Sequence, residues 1–174
     1  NIDRVKADLH EAHIPFASIG RTFIKQLDDI SKHVARKFLR ADPKRVAQIH
    51  EEMGLAGEDF VVGVSWGSLA IKIGPHKSCK LEELLPVLQI PGVKFVNLQY
   101  GDCASELRAV KDALDVTIVD DKDVNALADM DAFFAQTAAM DLIISTSNTT
   151  VHVAGSLGVP TWLLLLGSPA DLWY

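Results

Sequence analysis

A run of six hydroxyl and amide side chains at residues 145–150 (S-T-S-N-T-T) is the part of the sequence best suited to chemistry. The run leads into a predicted helix, and Ser, Thr and Asn at such a position cap helices. A helix N-terminus also binds anions through its free N–H groups and its dipole, and hydroxyl groups add donors without adding charge. The run is therefore interpreted as a plain cap or as part of a phosphate site. His152, in the first helical turn, is either a donor to a phosphate or sugar hydroxyl or a packed structural histidine.

Three lysines, Lys72, Lys77 and Lys80, fall in one loop, and no acid lies between residues 60 and 81. The chain as a whole is acidic, with a formal net charge of -6 over 174 residues. A cationic loop in an acidic chain favours a site for a small anion, although an ordinary solvated loop is the alternative. The acidic balance argues against nucleic acid and anionic membranes as partners.

The pattern of apolar residues changes at residue 59. Before it, apolar side chains recur at helical spacing, and Asp42 followed by Pro43 predicts a helix start. After it, short apolar runs alternate with helical segments. The predicted strands are 60–65, 94–98, 116–119, 142–145 and 161–166, and the predicted helices are 81–88, 105–114, 131–140 and 149–157. The helical spacing before residue 59 comprises Phe23, Ile24, Leu27, Ile30 and Val34, and then Val46, Ile49 and Met53.

Strands this apolar suit a parallel sheet that is covered on both faces. The alternation predicts an α/β fold, a Rossmann-like doubly wound parallel sheet of order 3-2-1-4-5, preceded by a helical linker segment. Such sheets bind ligands at the carboxyl ends of their strands. The groups predicted there are Trp66-Gly67-Ser68 with the lysine loop, residues 99–102, residues 120–123, residues 145–150 and Gly167-Ser168-Pro169.

Several motifs are absent or weak. The sequence has no GxGxxG, no phosphate-binding GxxxxGK[ST] and no GxSxG, which disfavours a dinucleotide fold, a P-loop NTPase and a serine hydrolase. His10-Glu11-Ala12-His13 is not a zinc motif, and the D-x-D patterns at 121–123 and 129–131 are common by chance, so no metal and no cofactor are expected. Asp120-Asp121 lies where a receiver domain would carry its phosphorylated acid, but that fold leaves the lysine loop unexplained.

The chain itself indicates a cytoplasmic protein. Cys79 and Cys103 form no disulfide framework, which fits a reducing compartment. The most apolar stretch, residues 151–167, is too short to span a bilayer and is interrupted by His152 and Pro160. No signal peptide precedes it. The chain opens on Asn1 without Met and stops at Tyr174, which predicts a fragment that is cut at both ends, so that the predicted sheet domain is truncated at its carboxyl end.

Several motifs in order resemble the carboxyl-terminal half of bacterial GT-B glycosyltransferases. The relatives are the heptosyltransferase-like family, the glycosyltransferases associated with tetratricopeptide repeats and, distantly, the protein O-GlcNAc transferases. The matching segments are residues 62–66, Lys77-Ser78, residues 91–103 with Glu106, and residues 145–162. More weakly, residues 13–20 and 38–43 look like the end of the amino-terminal lobe and the linker. The resemblance implies two domains, residues 1–59 as lobe end and linker and residues 60–174 as the nucleotide-sugar-binding lobe.

The resemblance also implies a function and a set of site residues. The chain would be the donor-binding part of a metal-independent glycosyltransferase, with a UDP- or ADP-linked sugar as donor and an unidentified protein or glycan as acceptor. Lys77 would contact phosphate, Glu106 would reach the ribose and residues 120–131 would border the base. The catalytic base is unknown, because the amino-terminal lobe is expected to supply it. The candidate substrate-binding residues are Trp66, Ser68, Lys77, Gln99, Glu106, Ser147, Asn148, Thr149, Thr150 and His152.

One departure from the family pattern leaves an alternative open. Heptosyltransferase-like proteins often carry Asp-Thr where this chain has Ser147-Asn148. That acid is expected to contact the transferred sugar, so its absence counts against heptose. The alternative is a non-catalytic nucleotide-sugar binder or a scaffold module of a repeat protein. The sugar, the stereochemical outcome and the oligomeric state are left open.

Overall fold

The structure is a computed structural model that describes residues 14–15, 18–26, 28–29, 37–55 and 57–165. The chain divides into two compact units, Asn1–Arg36 and Lys37–Tyr174. In the first unit a short helix, α1, spans Gly20–Phe23 and then ends at Ile24, whose backbone is extended. Predictions that involve residues 10–13, Leu27, Ile30, Val34, Leu166 and Gly167-Ser168-Pro169 lie outside the described residues.

A parallel sheet of five strands forms the centre of the second unit. The strands are β1 (Phe60–Ser65), β2 (Val93–Asn97), β3 (Ile118–Val119), β4 (Leu142–Thr146) and β5 (Thr161–Leu164). Their order is β3-β2-β1-β4-β5, and every neighbouring pair is parallel. The predicted order is therefore confirmed. The chain leaves β1 in one direction for β2 and β3 and then returns to the other side for β4, so the order reverses between β1 and β4.

Helices cover both faces of this sheet, as the doubly wound prediction requires. Successive side chains of β1 point to opposite faces, so Val61 packs into one core and Val62 and Val64 into the other. The first core includes residues of α2 (Pro43–Glu52), α5 (Met130–Ala138) and α6 (Thr149–Leu157), and the second includes residues of α3 (Leu85–Leu88) and α4 (Ala104–Leu114).

The helix predicted over residues 81–88 is broken into two parts. A 3₁₀ turn spans Leu81–Leu84 and α3 follows it. A continuous α-helix would need an N–H on residue 86 to bond the carbonyl of residue 82, and Pro86 has none. The strand predicted over 116–119 is also shorter, because Asp115 ends α4 in a left-handed conformation and the next two residues return the chain to the sheet.

Helix α2 belongs to the same compact unit as the sheet. Asp42 caps it by accepting a hydrogen bond from the backbone N–H of Lys44 at 2.9 Å, and Pro43 occupies the first turn, as predicted. Ile49 is fully buried, and His50 Nε2 lies 3.0 Å from the carbonyl oxygen of Ala139 just after α5. The unit therefore begins at Lys37, and the division of lobes at residue 59 stays a prediction.

Candidate functional site

The carboxyl ends of β1 and β4 lie side by side at the point where the strand order reverses. Ser65, the last residue of β1, is in register with Ser145 near the end of β4. Both side chains are fully buried. Open α/β sheets bind ligands in the crevice at this position. The loops that leave these two strands carry Lys77 and residues 145–150, so the sequence places both of its anion-binding candidates at the same crevice.

Asn148 joins these two loops and caps α6. Its Oδ1 accepts from the backbone N–H of Thr150 at 2.9 Å, which is the capping bond. Its Nδ2 donates to Ser65 Oγ at 2.8 Å and to the carbonyl oxygen of Gly67 at 3.0 Å. Both ends of the amide are therefore used within the protein, so this side chain fixes the position of the α6 N-terminus against the β1 loop.

Gln99, predicted as a binding residue, holds the same loop from the other side. Its Oε1 accepts from the backbone N–H groups of Trp66 at 3.0 Å and Gly67 at 2.8 Å and from Ser65 Oγ at 3.1 Å. Its Nε2 donates to the carbonyl oxygen of Tyr100 at 3.1 Å. The loop after β1 is thus fixed by amide side chains from the ends of β2 and β4.

Lys77 reaches the β4 loop from inside the protein. Its side chain is only 6% exposed, and its Nζ donates to Ser147 Oγ at 2.9 Å. A 3₁₀ turn, Gly74–Lys77, positions it, and a Cβ on Gly74 would collide with the backbone oxygen of Ser68. A lysine ammonium group held at a crevice between two loops is a typical binding group for phosphate.

The other residues predicted to bind substrate in this region do not all face the crevice. Ser68 contributes its backbone N–H to Ser78 Oγ at 2.9 Å, a bond that closes the base of the lysine loop. Thr149 and His152 are exposed on α6, whereas Thr150 is fully buried and its hydroxyl has no hydrogen-bond partner in the described part of the chain. The structure therefore brings Lys77, Ser147 and the first turn of α6 together.

Trp66 and Glu106 meet at a neighbouring cavity of about 230 Å³. Trp66 Nε1 donates to Glu106 Oε1 at 3.2 Å, and the indole is 2% exposed whereas Glu106 is half-buried. Glu106 lies in the first turn of α4, where the helix dipole stabilises its negative charge. The cavity is lined by both of these side chains together with residues 67–69, 78–79 and 99–103.

A second cavity of about 350 Å³ opens between the ends of β2 and β3. Asn97 Nδ2 donates there to Asp120 Oδ1 at 2.8 Å, and one oxygen of Asp121 is buried without a partner among the described residues. Asn97 and Gln136 line this cavity and were not identified from the sequence. Asn97 directly follows the apolar pair Phe95-Val96, and Gln136 with Thr137 interrupts an apolar helical segment, which is the signal that could have found them.

The surroundings of both thiols near these cavities favour the protonated form. Burial raises the pKa of Cys79, and the negative charges of Glu83 and Glu106 raise it further. Burial also raises the pKa of Cys103 against the lowering effect of its hydrogen bond from Asn97, while Asp120 adds to the rise. Because the thiolate is the reactive form, both side chains are expected to be inert at neutral pH.

Two features are absent from the described residues. Among these residues no group of three or more His, Cys, Asp or Glu side chains is arranged to hold a metal ion. Within the same part of the chain, no helix has the length and apolar character needed to cross a bilayer.

In sequence, the chain is similar to the protein FlbA of Caulobacter vibrioides (strain ATCC 19089 / CIP 103742 / CB 15). The two are 38% identical over 145 residues, which is 79% of this chain and 24% of FlbA. The chain thus spans about a quarter of the length of the curated relative it matches. No protein-family model matches the sequence.

Two solved structures resemble this one. The Escherichia coli ADP-heptose lipopolysaccharide heptosyltransferase II matches with a TM-score of 0.55 and 17% identity over 81% of this chain and 43% of that one. The family 9 glycosyltransferase of Veillonella parvula DSM 2008 matches with a TM-score of 0.54 and 17% identity over 72% of this chain and 36% of that one. At this identity the likeness shows the fold, which is the Rossmann-like α/β fold found in part of each glycosyltransferase.

Proposed function

We propose that this chain is the donor-binding part of a GT-B glycosyltransferase that acts in the cytoplasm and uses a nucleotide-diphosphate sugar. The observation that carries the proposal is the bond between Lys77 and Ser147 across the crevice between β1 and β4, beside the first turn of α6. A buried cation and a helix N-terminus at this crevice suit a diphosphate. The fold shared with two glycosyltransferases supports the proposal.

The proposed chemistry needs positive groups at the leaving diphosphate. Transfer breaks the bond between the anomeric carbon and a diphosphate oxygen, so negative charge grows on the diphosphate as the sugar gains oxocarbenium character. Lys77 and the N–H groups of the α6 first turn would stabilise that charge without a metal ion. The acceptor site and the general base are assigned to the amino-terminal lobe, as the family resemblance implies.

The proposal assigns the rest of the nucleotide to the two remaining cavities. Neighbouring strands are about 4.8 Å apart. Moving from β4 along the sheet edge, the Lys77 crevice comes first, then the Trp66–Glu106 cavity, and then the acidic cavity beyond β2. The proposal therefore places the diphosphate at Lys77, the ribose at Glu106 and the base near Asp120 and Asp121, because an acidic cavity repels phosphate and accepts hydrogen bonds from hydroxyl and amino groups.

Calorimetric titration of the full chain with ADP, UDP, GDP and CDP, with and without Mg²⁺, tests this proposal. One nucleotide is expected to bind without Mg²⁺. Lys77→Met keeps the buried aliphatic stem and removes the charge, so it should weaken binding at least tenfold, as expected when a hydrogen bond to a charged group is lost.

Lys111→Met is the matched control, because Lys111 is an exposed lysine in the last turn of α4 and its loss removes the same charge. It should leave the affinity within about twofold of the parent. Equal weakening by both variants, or no binding of any nucleotide to folded protein, would contradict the proposal.

A non-catalytic nucleotide-sugar binder, used as a scaffold beside helical repeats, is the second candidate. The observation that favours it is the neutral pair Ser147-Asn148, whose side chains are occupied by Lys77 and by the β1 loop. Release of the nucleoside diphosphate from a bound sugar nucleotide, measured on protein that contains both lobes, distinguishes the two. An enzyme should transfer the sugar and release the nucleoside diphosphate, and should stop doing so in Lys77→Met, whereas a scaffold should bind the donor and leave it intact.

A further inference from the structure

We infer that Trp66 is a positioning residue that makes the site selective for ribonucleotides, by holding the Glu106 carboxylate against the ribose. This inference rests on the proposed function. It concerns a bond between two side chains that lie 40 positions apart in the chain, Trp66 Nε1–H to Glu106 Oε1 at 3.2 Å.

The indole is fixed much more firmly than the carboxylate. Trp66 is 2% exposed and packs in the core formed with Leu81, Phe95 and Cys103. Its backbone is also held, because its N–H donates to Gln99 Oε1 and its carbonyl oxygen accepts from the N–H of Cys79 at 2.9 Å. A side chain with this many constraints has one orientation, so it can fix the rotamer of a flexible glutamate.

The geometry leaves half of the carboxylate available. Glu106 Oε1 is engaged by the indole, whereas Oε2 has no hydrogen-bond partner within the residues the structure describes. The residue lines the 230 Å³ cavity, which has room for a pentose. An ionised carboxylate only accepts hydrogen bonds, so the group it recognises must donate them, and the vicinal hydroxyls of a ribose donate two.

An indole holds the Glu106 carboxylate without neutralising its negative charge. A lysine or arginine in the place of Trp66 would hold the carboxylate by neutralising it, whereas the indole N–H is a neutral donor. Glu106 therefore keeps its full negative charge, and hydrogen bonds to a charged acceptor are about twice as strong as those between neutral groups. The pair is suited to binding a diol and unsuited to binding phosphate.

The test compares a ribonucleotide with its 2′,3′-dideoxy counterpart, using calorimetry on the full chain and whichever nucleoside diphosphate binds. Wild type should prefer the ribonucleotide by roughly tenfold or more, since two hydrogen bonds to a charged group are lost with the hydroxyls. Trp66→Phe keeps an aromatic ring and removes the N–H donor, so this preference should fall to about threefold while affinity for the dideoxy compound stays within twofold.

Trp162→Phe is the matched control, because Trp162 is 62% exposed on the edge strand β5, and it should keep the wild-type preference. Equal loss of affinity for both nucleotides in Trp66→Phe would show a purely structural role and overturn the inference. A wild-type preference for the ribonucleotide near one, or an unchanged preference in Trp66→Phe, would also overturn the inference. In those two cases the proposed function stands, because the nucleotide still binds. Failure of wild type to bind any nucleotide overturns both.

A second measurement serves if Trp66→Phe does not fold. The ¹⁵N–¹H resonance of the Trp66 indole in wild-type protein should shift when the ribonucleotide is added, because Glu106 then shares its charge with the ribose. The dideoxy compound should leave that resonance close to its free position. Equal shifts with both compounds would overturn the inference.

Discussion

Asn148 is the side chain on which the geometry of the crevice depends most. Its Nδ2 donates to two acceptors, Ser65 Oγ and the carbonyl oxygen of Gly67, and its Oδ1 accepts from the N–H of Thr150. The residue is 7% exposed, so water cannot readily replace a lost bond. Among side chains of this size and shape, only an amide has a donor group at one end and an acceptor at the other.

Asn148→Asp should therefore destabilise the protein although the two side chains have nearly the same shape. The carboxylate still caps α6 but turns an acceptor towards the Gly67 carbonyl oxygen, and we expect a loss of about 2 kcal/mol in the free energy of unfolding. Urea denaturation measures it.

Asp42→Asn is the reverse exchange at the exposed cap of α2 and should change that free energy by less than about 0.5 kcal/mol, because both residues cap well. If Asn148→Asp is as mild as Asp42→Asn, the amide is not the link between the loops.

The roles of single polar residues were only partly predictable from the sequence. The crevice residues were found because they follow predicted strands, and this rule does not distinguish a residue that faces a ligand from one that holds a loop. Gln99 shows the difference, since its amide oxygen accepts three hydrogen bonds from Ser65, Trp66 and Gly67. Such long-range partners become visible only when the strands are in register.

At the scale of the elements, Gly158 determines how α6 ends and how the chain entering the second unit packs. It has a positive φ of 71°, and a Cβ added there would lie 2.6 Å from Cγ of Lys37. The backbone N–H groups of Phe38 and Leu39 both donate to the carbonyl oxygen of Ser156, so the entering segment lies against the end of α6.

Gly158→Ala is expected to lower the free energy of unfolding by about 1–2 kcal/mol, from the left-handed backbone and the displaced lysine stem. Gly155→Ala, in the same helix with no atom within 4 Å of the added Cβ, should instead raise it by about 0.5–1 kcal/mol. Chemical denaturation of the two variants side by side measures the difference, and effects of the same sign would contradict this account of the helix end.

Element types were predicted better than element boundaries. The start of α2 was readable because Asp42 and Pro43 are strong local signals. The packing of α2 against α5 through Ile49 and His50 could not be predicted from the sequence, because that contact joins segments that are far apart in the chain. The break at Pro86 was readable in principle, since a proline at that position of a helix removes a backbone donor.

At the scale of the whole molecule, the order of the strands gives the site its place. Parallel strands joined by helices need crossovers of one hand, so the sequence pattern leaves few orders to consider, and the predicted 3-2-1-4-5 is the one observed. That order creates one reversal, between β1 and β4, and Lys77 and Ser147 lie on its two sides. The crevice is thus a consequence of topology, and the residues in it determine what it binds.

The location of a bound diphosphate tests the central claim most directly. A crystal structure of the full chain with the nucleoside diphosphate that binds most tightly should show phosphate oxygens about 3 Å from Lys77 Nζ and from backbone N–H groups in the first turn of α6, with the nucleoside extending towards β2. A diphosphate held elsewhere, for example at the cavity of about 580 Å³ lined by Arg40 and Arg45, with Lys77 still bonded only within the protein, would contradict it.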